Sequence, residues 1–128
     1  MRLIIIGSGY VGLVSGACLA ELGHHVMCVD NDANKVKQLQ AGQIPIYEPQ
    51  LSEMITRNVA QGRLGFTSRL PALGKEIHAV MIAVGTPPQA NGSADLSAIF
   101  AVAQEVAAKA VHPQMVIIKS TVPVGTGD

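Results

Sequence analysis

The sequence predicts an α/β domain in which a parallel sheet lies between two layers of helices, and three observations support this. Short runs of branched apolar residues alternate with stretches whose apolar residues recur every three or four positions. Glycine or proline follows most of these segments, where strands and helices end. Since strands that alternate with helices form parallel sheets with right-handed crossovers, we expect a doubly wound, three-layer α/β/α architecture.

The opening segment supplies a strand, a helix and a second strand. Residues 3–6 form a continuous branched apolar run, typical of a parallel strand that is buried on both faces. Residues 10–22 are predicted to form a helix that ends before Gly23, and residues 25–29 a second strand. The apolar positions of this helix at three- and four-residue spacing are Val11, Val14, Cys18 and Leu22.

The middle of the chain predicts two more helices and a weaker strand. A short helix over 33–41 has Val36 and Leu39 on its inner side. A second helix is expected over 50–61 and the weaker strand over 63–67. The inner positions expected for the second helix are Leu51, Met54, Ile55 and either Asn58 or Val59.

The last third predicts a strand, a helix and a final strand. Residues 79–84 are all apolar, and 115–119 form a similar run. Asp95 is expected to cap the helix between them, which covers 96–111. The core face of that helix is marked by Ile99, Val102, Val106 and Ala110.

Composition favours one compact domain over residues 1–128. The chain is 48% hydrophobic and 14% charged, against roughly 25% charged in a typical soluble domain, so we expect part of its surface to be covered in the complete protein. A net charge of zero without runs of one sign disfavours a nucleic-acid partner. The apolar stretches are too short to cross a membrane, and a strand directly after Met1 disfavours a secretory signal, so a cytoplasmic location is expected.

The cysteines and histidines predict no metal site. Cys18 and Cys28 form no C-x-x-C pair and lie among apolar residues, so both are expected to be reduced, buried packing residues. The histidines lie near strand starts, at the edge opposite the expected site, and no convergent ligands surround them. They are His24, His25, His78 and His112.

A glycine-rich turn, GSGYVG over 7–12, follows the first strand. Gly7 permits a tight turn, Gly9 lets the backbone approach a pyrophosphate, and Gly12 lets the helix pack closely on the sheet. The amino terminus of the helix offers free N–H groups to phosphates. With a strand before it and a helix after it, the turn predicts a dinucleotide site of the Rossmann type.

Asp30 ends the second strand and can accept hydrogen bonds from ribose hydroxyls. Its charge would repel the extra phosphate of NADP, so NAD is the expected cofactor. Two alternatives stay open, since Asp30 can instead cap the helix that starts near Asp32, and FAD-binding proteins share the glycine pattern. Lys35 can reach the ribose or a phosphate, or be an ordinary solvated lysine.

Two later turns also follow strands, VGTPP over 84–88 and STVP over 120–123. Both lie beyond the carboxyl ends of parallel strands, where open α/β sheets bind ligands. The hydroxyls of Thr86, Ser120 and Thr121 are candidate donors to the cofactor or to a bound water. The alternative is that these are structural turns.

Together these segments resemble the UDP-glucose/GDP-mannose dehydrogenase family over essentially the whole chain. The resemblance rests on GSGYVGLVSG over 7–16, the pair Val29-Asp30, IYEP over 46–49, VGTP over 84–87 and STVPVGT over 120–126. The chain departs from the family pattern at Gln50, where glycine is usual.

The resemblance implies an NAD-dependent, four-electron oxidation of the C6 hydroxyl of a nucleotide sugar to a carboxylate, with two NAD per product. UDP-glucose, oxidised to UDP-glucuronate, is the expected substrate, ahead of GDP-mannose and UDP-N-acetyl sugars. In the family a cysteine thiolate attacks the intermediate aldehyde, and the thiohemiacetal is oxidised to a thioester that is hydrolysed.

Neither Cys18 nor Cys28 matches the motif of that nucleophile. The resemblance therefore implies that this chain is the NAD-binding half of a longer enzyme, without its central helix and substrate-binding domain. Alone it is expected to bind NAD without turnover, and the full-length protein is expected to be a homo-oligomer.

By the same resemblance, Val11, Asp30, Lys35, Thr86 and Thr121 contact NAD, and Thr121 also holds a catalytic water in a supporting role. With the two turns and the glycine pattern added, the expected cofactor-binding set is Gly7, Gly9, Tyr10, Val11, Gly12, Asp30, Lys35, Val84, Gly85, Thr86, Pro87, Ser120 and Thr121.

Two other functions remain open at this point. The chain can be a freestanding NAD-binding regulatory module, because the catalytic residues of the family are absent from it. It can also be the cofactor half of another NAD-dependent hydroxyl dehydrogenase, such as one that acts on a hydroxy acid or an acyl-CoA.

Overall fold

A computed structural model of the chain describes residues 1–45, 48–86, 89–93, 95–120 and 126. This part of the chain contains five strands, which are β1 (Arg2–Ile6), β2 (His25–Val29), β3 (Leu64–Thr67), β4 (Ala79–Ile82) and β5 (Met115–Ile118). It contains four helices, which are α1 (Tyr10–Glu21), α2 (Ala33–Gln40), α3 (Pro49–Ala60) and α4 (Ser97–Lys109). All strand pairs are parallel, in the order β3-β2-β1-β4-β5.

The sheet has helices on both faces, because the side chains of β1 alternate between two apolar clusters. Ile5 belongs to a cluster that includes Leu13 of α1 and Ile55 of α3. Ile4 belongs to a second cluster, with Val106 of α4. The predicted doubly wound, three-layer α/β/α fold is confirmed.

The register of the central strands determines where the functional edge lies. Ile6 at the end of β1 pairs with Val29 on one side and with Ile82 on the other. The segments that follow β1, β2 and β4 therefore leave the sheet side by side, at its carboxyl edge.

The buried face of α1 differs from the predicted one. Its buried residues are Gly12, Leu13, Gly16, Ala17 and Ala20. Val11 and Leu22 are exposed, and so is Cys18, for which the expectation of a buried packing residue was wrong. The reason is close packing, since a Cβ added to Gly16 would lie 2.9 Å from Sγ of Cys28. Small residues bring α1 against the sheet, whereas the larger apolar ones were predicted to face it.

Asn58 of α3, and not Val59, occupies the inner position. Its side chain is fully buried and donates to Oε2 of Glu21 at 2.7 Å. The amide oxygen of the same side chain, Oδ1, accepts from Arg63 Nη2 at 2.8 Å. Arg63 Nε also donates to the carbonyl oxygen of Ala20 at 3.0 Å. This network joins the end of α1 to α3 and to the start of β3.

The observed ends of α4 and β5 refine the predictions for the last third. The residue that precedes α4 is Leu96, and its side chain does not cap the helix. Asp95 instead accepts from the N–H and the hydroxyl of Ser97, at 3.0 and 2.7 Å. On β5, Met115, Val116 and Ile117 are exposed. In the described part of the chain, no helix is long and apolar enough to cross a membrane.

Candidate functional site

The glycine turn joins β1 to α1 at the carboxyl edge of the sheet. Gly7 has φ +106°, a backbone conformation that favours glycine, and its N–H donates to the carbonyl oxygen of Val29 at 2.7 Å. A Cβ on Gly7 would lie 2.6 Å from the carbonyl oxygen of Ala83. A Cβ on Gly12 would overlap the carbonyl oxygen of Gly7. These two glycines are therefore required by the fold itself.

Gly9 has no such requirement. Its φ is −72°, and a Cβ built on it would meet no described atom within 4 Å beyond its chain neighbours. A Cβ on Gly85, after β4, would likewise meet no described atom within 4 Å beyond its chain neighbours. The space above both residues is open at the edge where open α/β sheets bind ligands, which fits a dinucleotide backbone that passes close to the main chain.

The amino terminus of α1 is directed toward this space. The first helical hydrogen bond runs from the N–H of Leu13 to the carbonyl oxygen of Gly9, at 2.9 Å. The N–H groups of Tyr10, Val11 and Gly12 precede it and have no acceptor within the helix. Such a terminus attracts anions, through these donors and through the helix dipole.

Asp30 lies beside the turn, immediately after β2. Its Oδ2 accepts from the hydroxyl of Ser8 at 2.7 Å and from the N–H of Ser8 at 3.1 Å. Its Oδ1 accepts from the N–H of Asp32 at 2.9 Å. Nζ of Lys35 lies 3.7 Å from Oδ2. The helix cap is made by Asp32, which accepts from the N–H groups of Asn34 and Lys35, so Asp30 is not the cap.

These contacts keep Asp30 ionised. Burial alone would raise the pKa of this carboxyl. The hydrogen bond from the Ser8 hydroxyl, those from the N–H groups of Asp32 and Ser8, and the charge of Lys35 outweigh burial, so the pKa lies below its ordinary value of 3.8. At neutral pH the cleft beside the glycine turn therefore presents a fixed negative charge.

Two clefts flank the turn, and Val84 lines both. The first cleft, of about 230 Å³, has Gly7 and Asp30 at its edge and α4 as one wall. Its other lining residues are Ile6, Val29, Asn31, Ser68, Leu70, Val84, Ala98, Ala101, Val102 and Glu105. Its lining is mostly apolar with a few polar side chains, which suits a flat aromatic ring attached to a sugar.

The second cleft, of about 260 Å³, lies on the other side of the turn. It is lined by Gly9, Tyr10, Val11, Ala83, Val84, Gly85, Thr86, Lys119 and Ser120. The hydroxyl of Ser120 donates to the carbonyl oxygen of Val84 at 2.7 Å, so it ties the end of β5 to the turn that follows β4.

Most of the residues expected from the sequence meet at this edge. Pro87 and Thr121, including the supporting catalytic role expected for Thr121, lie outside the described residues. The contact of Ser8 with Asp30 and the part of the first cleft formed by Leu70 and α4 were not predicted from the sequence. The spacing of Ala98 and Ala101, two small residues one helical turn apart, was the available signal for the α4 wall.

The histidines lie elsewhere, at the amino edge. Nδ1 of His24 is 3.0 Å from the terminal amine of Met1, and Nδ1 of His78 accepts from the N–H of Arg2 at 3.0 Å. Nε2 of His112 is 2.7 Å from the carbonyl oxygen of Gly74. These contacts hold chain segments together, and none of the described histidines lines either cleft.

Comparison with known proteins agrees with this geometry. A family model described as the NAD binding domain of the UDP-glucose/GDP-mannose dehydrogenase family matches residues 1–128. The UDP-glucose 6-dehydrogenase of Rhizobium meliloti (strain 1021) is 52% identical over 129 residues, which cover all of this chain and 30% of that protein. The chain thus spans about three-tenths of the length of this curated relative.

Two solved structures are similar over nearly the whole chain. A UDP-glucose dehydrogenase from the archaeon Pyrobaculum islandicum superposes with a TM-score of 0.89 at 42% identity, covering 98% of this chain and 30% of that one. A ternary complex of GDP-mannose dehydrogenase from Pseudomonas aeruginosa superposes with a TM-score of 0.87 at 34% identity, with the same coverage of 98% and 30%.

Proposed function

Because this chain belongs to the UDP-glucose/GDP-mannose dehydrogenase family and corresponds to its NAD-binding domain, we propose that it is the cofactor half of a UDP-glucose 6-dehydrogenase. The full-length protein would oxidise the C6 hydroxyl of UDP-glucose to the carboxylate of UDP-glucuronate, with two NAD per product. The name and 52% identity of the Rhizobium relative support this choice of sugar over GDP-mannose and UDP-N-acetyl sugars.

The observation that carries the placement of NAD is the open space over Gly9, in the glycine turn that both clefts flank. We assign the pyrophosphate to this space, where the N–H groups of Tyr10, Val11 and Gly12 would bind it. The adenosine would occupy the first cleft, with its ribose at Asp30 and Lys35. The nicotinamide would occupy the second cleft.

The fixed charge of Asp30 selects NAD over NADP in this arrangement. An ionised carboxylate accepts hydrogen bonds from ribose hydroxyls and repels a phosphate at the same position. Nζ of Lys35 lies 3.7 Å from the carboxylate, and its charge lowers the pKa of Asp30, so it favours the ionised form that would bind the ribose.

The nicotinamide side would be shaped by the turns after β4 and β5. Bound NAD would accept a hydride from the substrate carbon. Thr86 and Ser120 line the second cleft, and Ser120 holds the turn that carries Gly85 through its bond to Val84. Thr121, by resemblance, would hold a water there.

The nucleophilic thiol of the family has no counterpart among the two cysteines described. Burial raises the pKa of the Cys28 thiol to about 12, and Cys18 lines neither cleft. We therefore place the nucleophile, the central helix and the substrate-binding domain in the remaining part of a full-length protein. The exposed apolar strand β5 is a surface that such a part could cover. We further propose a cytoplasmic homo-oligomer.

Titration of the 128-residue chain with NADH, followed by nucleotide fluorescence, tests the cofactor site. Asp30→Ala is expected to weaken NADH binding at least about tenfold, because it removes hydrogen bonds to a charged acceptor. Asp95→Ala is the matched control, since Asp95 also accepts from a serine hydroxyl at 2.7 Å but lines neither cleft. Equal binding by wild type and Asp30→Ala, or no binding by either, would contradict the assignment.

Turnover by a full-length protein tests the rest of the proposal. With UDP-glucose we expect about two NADH per UDP-glucuronate, and much slower reaction with GDP-mannose. NADH binding without oxidation of any nucleotide sugar would instead favour a regulatory module, and oxidation of a hydroxy acid or acyl-CoA would favour another dehydrogenase.

A further inference from the structure

Ser8 occupies a position between two glycines that the glycine pattern leaves unspecified. The residue is only 1% exposed, although it lies at the edge of the sheet beside two clefts. Its hydroxyl and its N–H both donate to Oδ2 of Asp30, at 2.7 and 3.1 Å. A buried serine whose two donors converge on one carboxylate oxygen restrains the rotation of that carboxylate.

The remaining contacts of Asp30 divide its two oxygens. Oδ2 receives both bonds from Ser8 and has Lys35 nearby, whereas Oδ1 accepts the N–H of Asp32 at 2.9 Å. A carboxylate oxygen has two acceptor positions, so, among the described contacts, Oδ1 retains one. Ser8 thus decides which oxygen is left for a ligand.

We propose that Ser8 is a positioning residue for the dinucleotide, which holds the Asp30 carboxylate so that Oδ1 accepts from a hydroxyl of the adenosine ribose. This inference rests on the proposed function, in which Asp30 binds that ribose. Ser8 acts through Asp30 and has no contact of its own with the nucleotide.

The charges around Asp30 set its response to pH. Lys35 faces it from α2, Asp32 precedes the same helix, and Glu105 of α4 lines the same cleft. The amino terminus of α1 adds a partial positive charge. Loss of the Ser8 hydroxyl removes the strongest contact that lowers the pKa of Asp30, so this pKa should rise. As the pH is lowered, NADH binding should then begin to weaken at a higher pH than in wild type.

The test compares Ser8→Ala with Ser97→Ala by NADH titration over a range of acidic to neutral pH. Ser97 donates its hydroxyl to Asp95 at 2.7 Å, so the control removes an equal hydrogen bond at an exposed helix start. We expect Ser8→Ala to lose roughly five- to tenfold in affinity at pH 7, the size of one ordinary hydrogen bond. Its loss of binding in acid should begin at a higher pH than in wild type, and Ser97→Ala should match wild type.

A double-mutant cycle separates positioning from general structural support. In an Asp30→Ala background, Ser8→Ala should have no further effect on affinity, because Ser8 acts through that carboxylate. An additive loss would overturn the proposal, as would an unchanged affinity and acid limb in Ser8→Ala.

A conservative variant guards against misfolding. Ser8→Thr keeps the hydroxyl and should retain affinity within about twofold of wild type, whereas a loss as large as that of Ser8→Ala would show that the hydroxyl is not responsible. If wild type itself fails to bind NADH, the proposed function fails. If wild type binds and Ser8→Ala behaves identically, only the role of Ser8 fails.

Discussion

The inner and outer sides of the glycine turn contain the same residue type for different physical reasons. On the inner side, a Cβ on Gly7 or Gly12 would collide with the main chain of the protein. On the outer side, a Cβ on Gly9 would meet no described neighbour, and the same is true of Gly85 in the turn after β4. A glycine that the fold could replace by a larger residue points to a ligand. A glycine packed against backbone does not. The comparison separates the requirements of folding from those of binding within one turn.

The largest expected effect is the loss of folding in Gly12→Ala. The new methyl group would overlap the carbonyl oxygen of Gly7, so α1 would have to move away from the sheet. We expect destabilisation by more than about 4 kcal/mol, since a backbone clash cannot relax as a flexible side chain does. Circular dichroism during heating measures this, and a melting curve like that of wild type would contradict the assignment of Gly12 to the fold.

Asn58→Ala should destabilise the protein without affecting the site. The substitution leaves the partly buried guanidinium of Arg63 and the carboxylate of Glu21 without their amide partner. We expect a loss of about 2–3 kcal/mol in the free energy of unfolding. Denaturant unfolding measures it, and NADH affinity at a temperature where the variant is folded should stay within about twofold of wild type.

Gly9→Ser should have the opposite effect. Gly9 precedes the first turn of α1 in an extended conformation, and serine is a preferred residue at that position, so stability should change by less than about 0.5 kcal/mol or improve. The side chain would enter the open space over the turn. We expect NADH affinity to fall at least about tenfold, or 1.4 kcal/mol, and unchanged affinity would remove the main support for a pyrophosphate there.

The smallest expected effect is the dependence on pH between about pH 8 and about pH 5, where NADH affinity should change less than about twofold. Folding lowers the pKa of Asp30 from 3.8, so its contribution to stability is complete above 3.8 and is lost as the pH falls through the lower folded value. Binding should weaken in the same acidic range. Asp30→Asn lacks this titration, and a wild-type loss of affinity near pH 6 would assign the binding to another group.

The order of elements and the site edge could be predicted because they depend on local patterns. The branched run in β1, the glycine turn and Asp30 at the end of β2 each follow from nearby residues. The buried face of α1 could not be predicted the same way, because the helix has apolar residues on all its sides. Only its close approach to Cys28 shows that Gly16 lies on the buried face. The expectation that Asp95 caps α4 was wrong by one residue, because the helix begins at Ser97 and Leu96 precedes it.

The missed contacts depend on chain segments that are far apart. Ser8 and Asp30 are separated by 22 positions, and the pairing of Ile6 with Val29 brings them together. Leu70 reaches the first cleft on a connection after β3 that contains no recognisable motif. Such contacts can be predicted only when the register of the sheet is known. The sequence pattern indicates the strands, but not which strands pair with each other.

The unequal exposure of the two cysteines provides a way to measure how often α1 separates from the sheet. Cys18 is exposed on α1, whereas Cys28 lies beneath Gly16 with its thiol pKa raised to about 12. An alkylating reagent should therefore modify one thiol quickly and the second only when the helix lifts from the sheet. The rate at which the second label appears, followed by the mass of the protein, then reports the rate of this opening. Bound NADH should slow the second addition, because it binds the folded state alone.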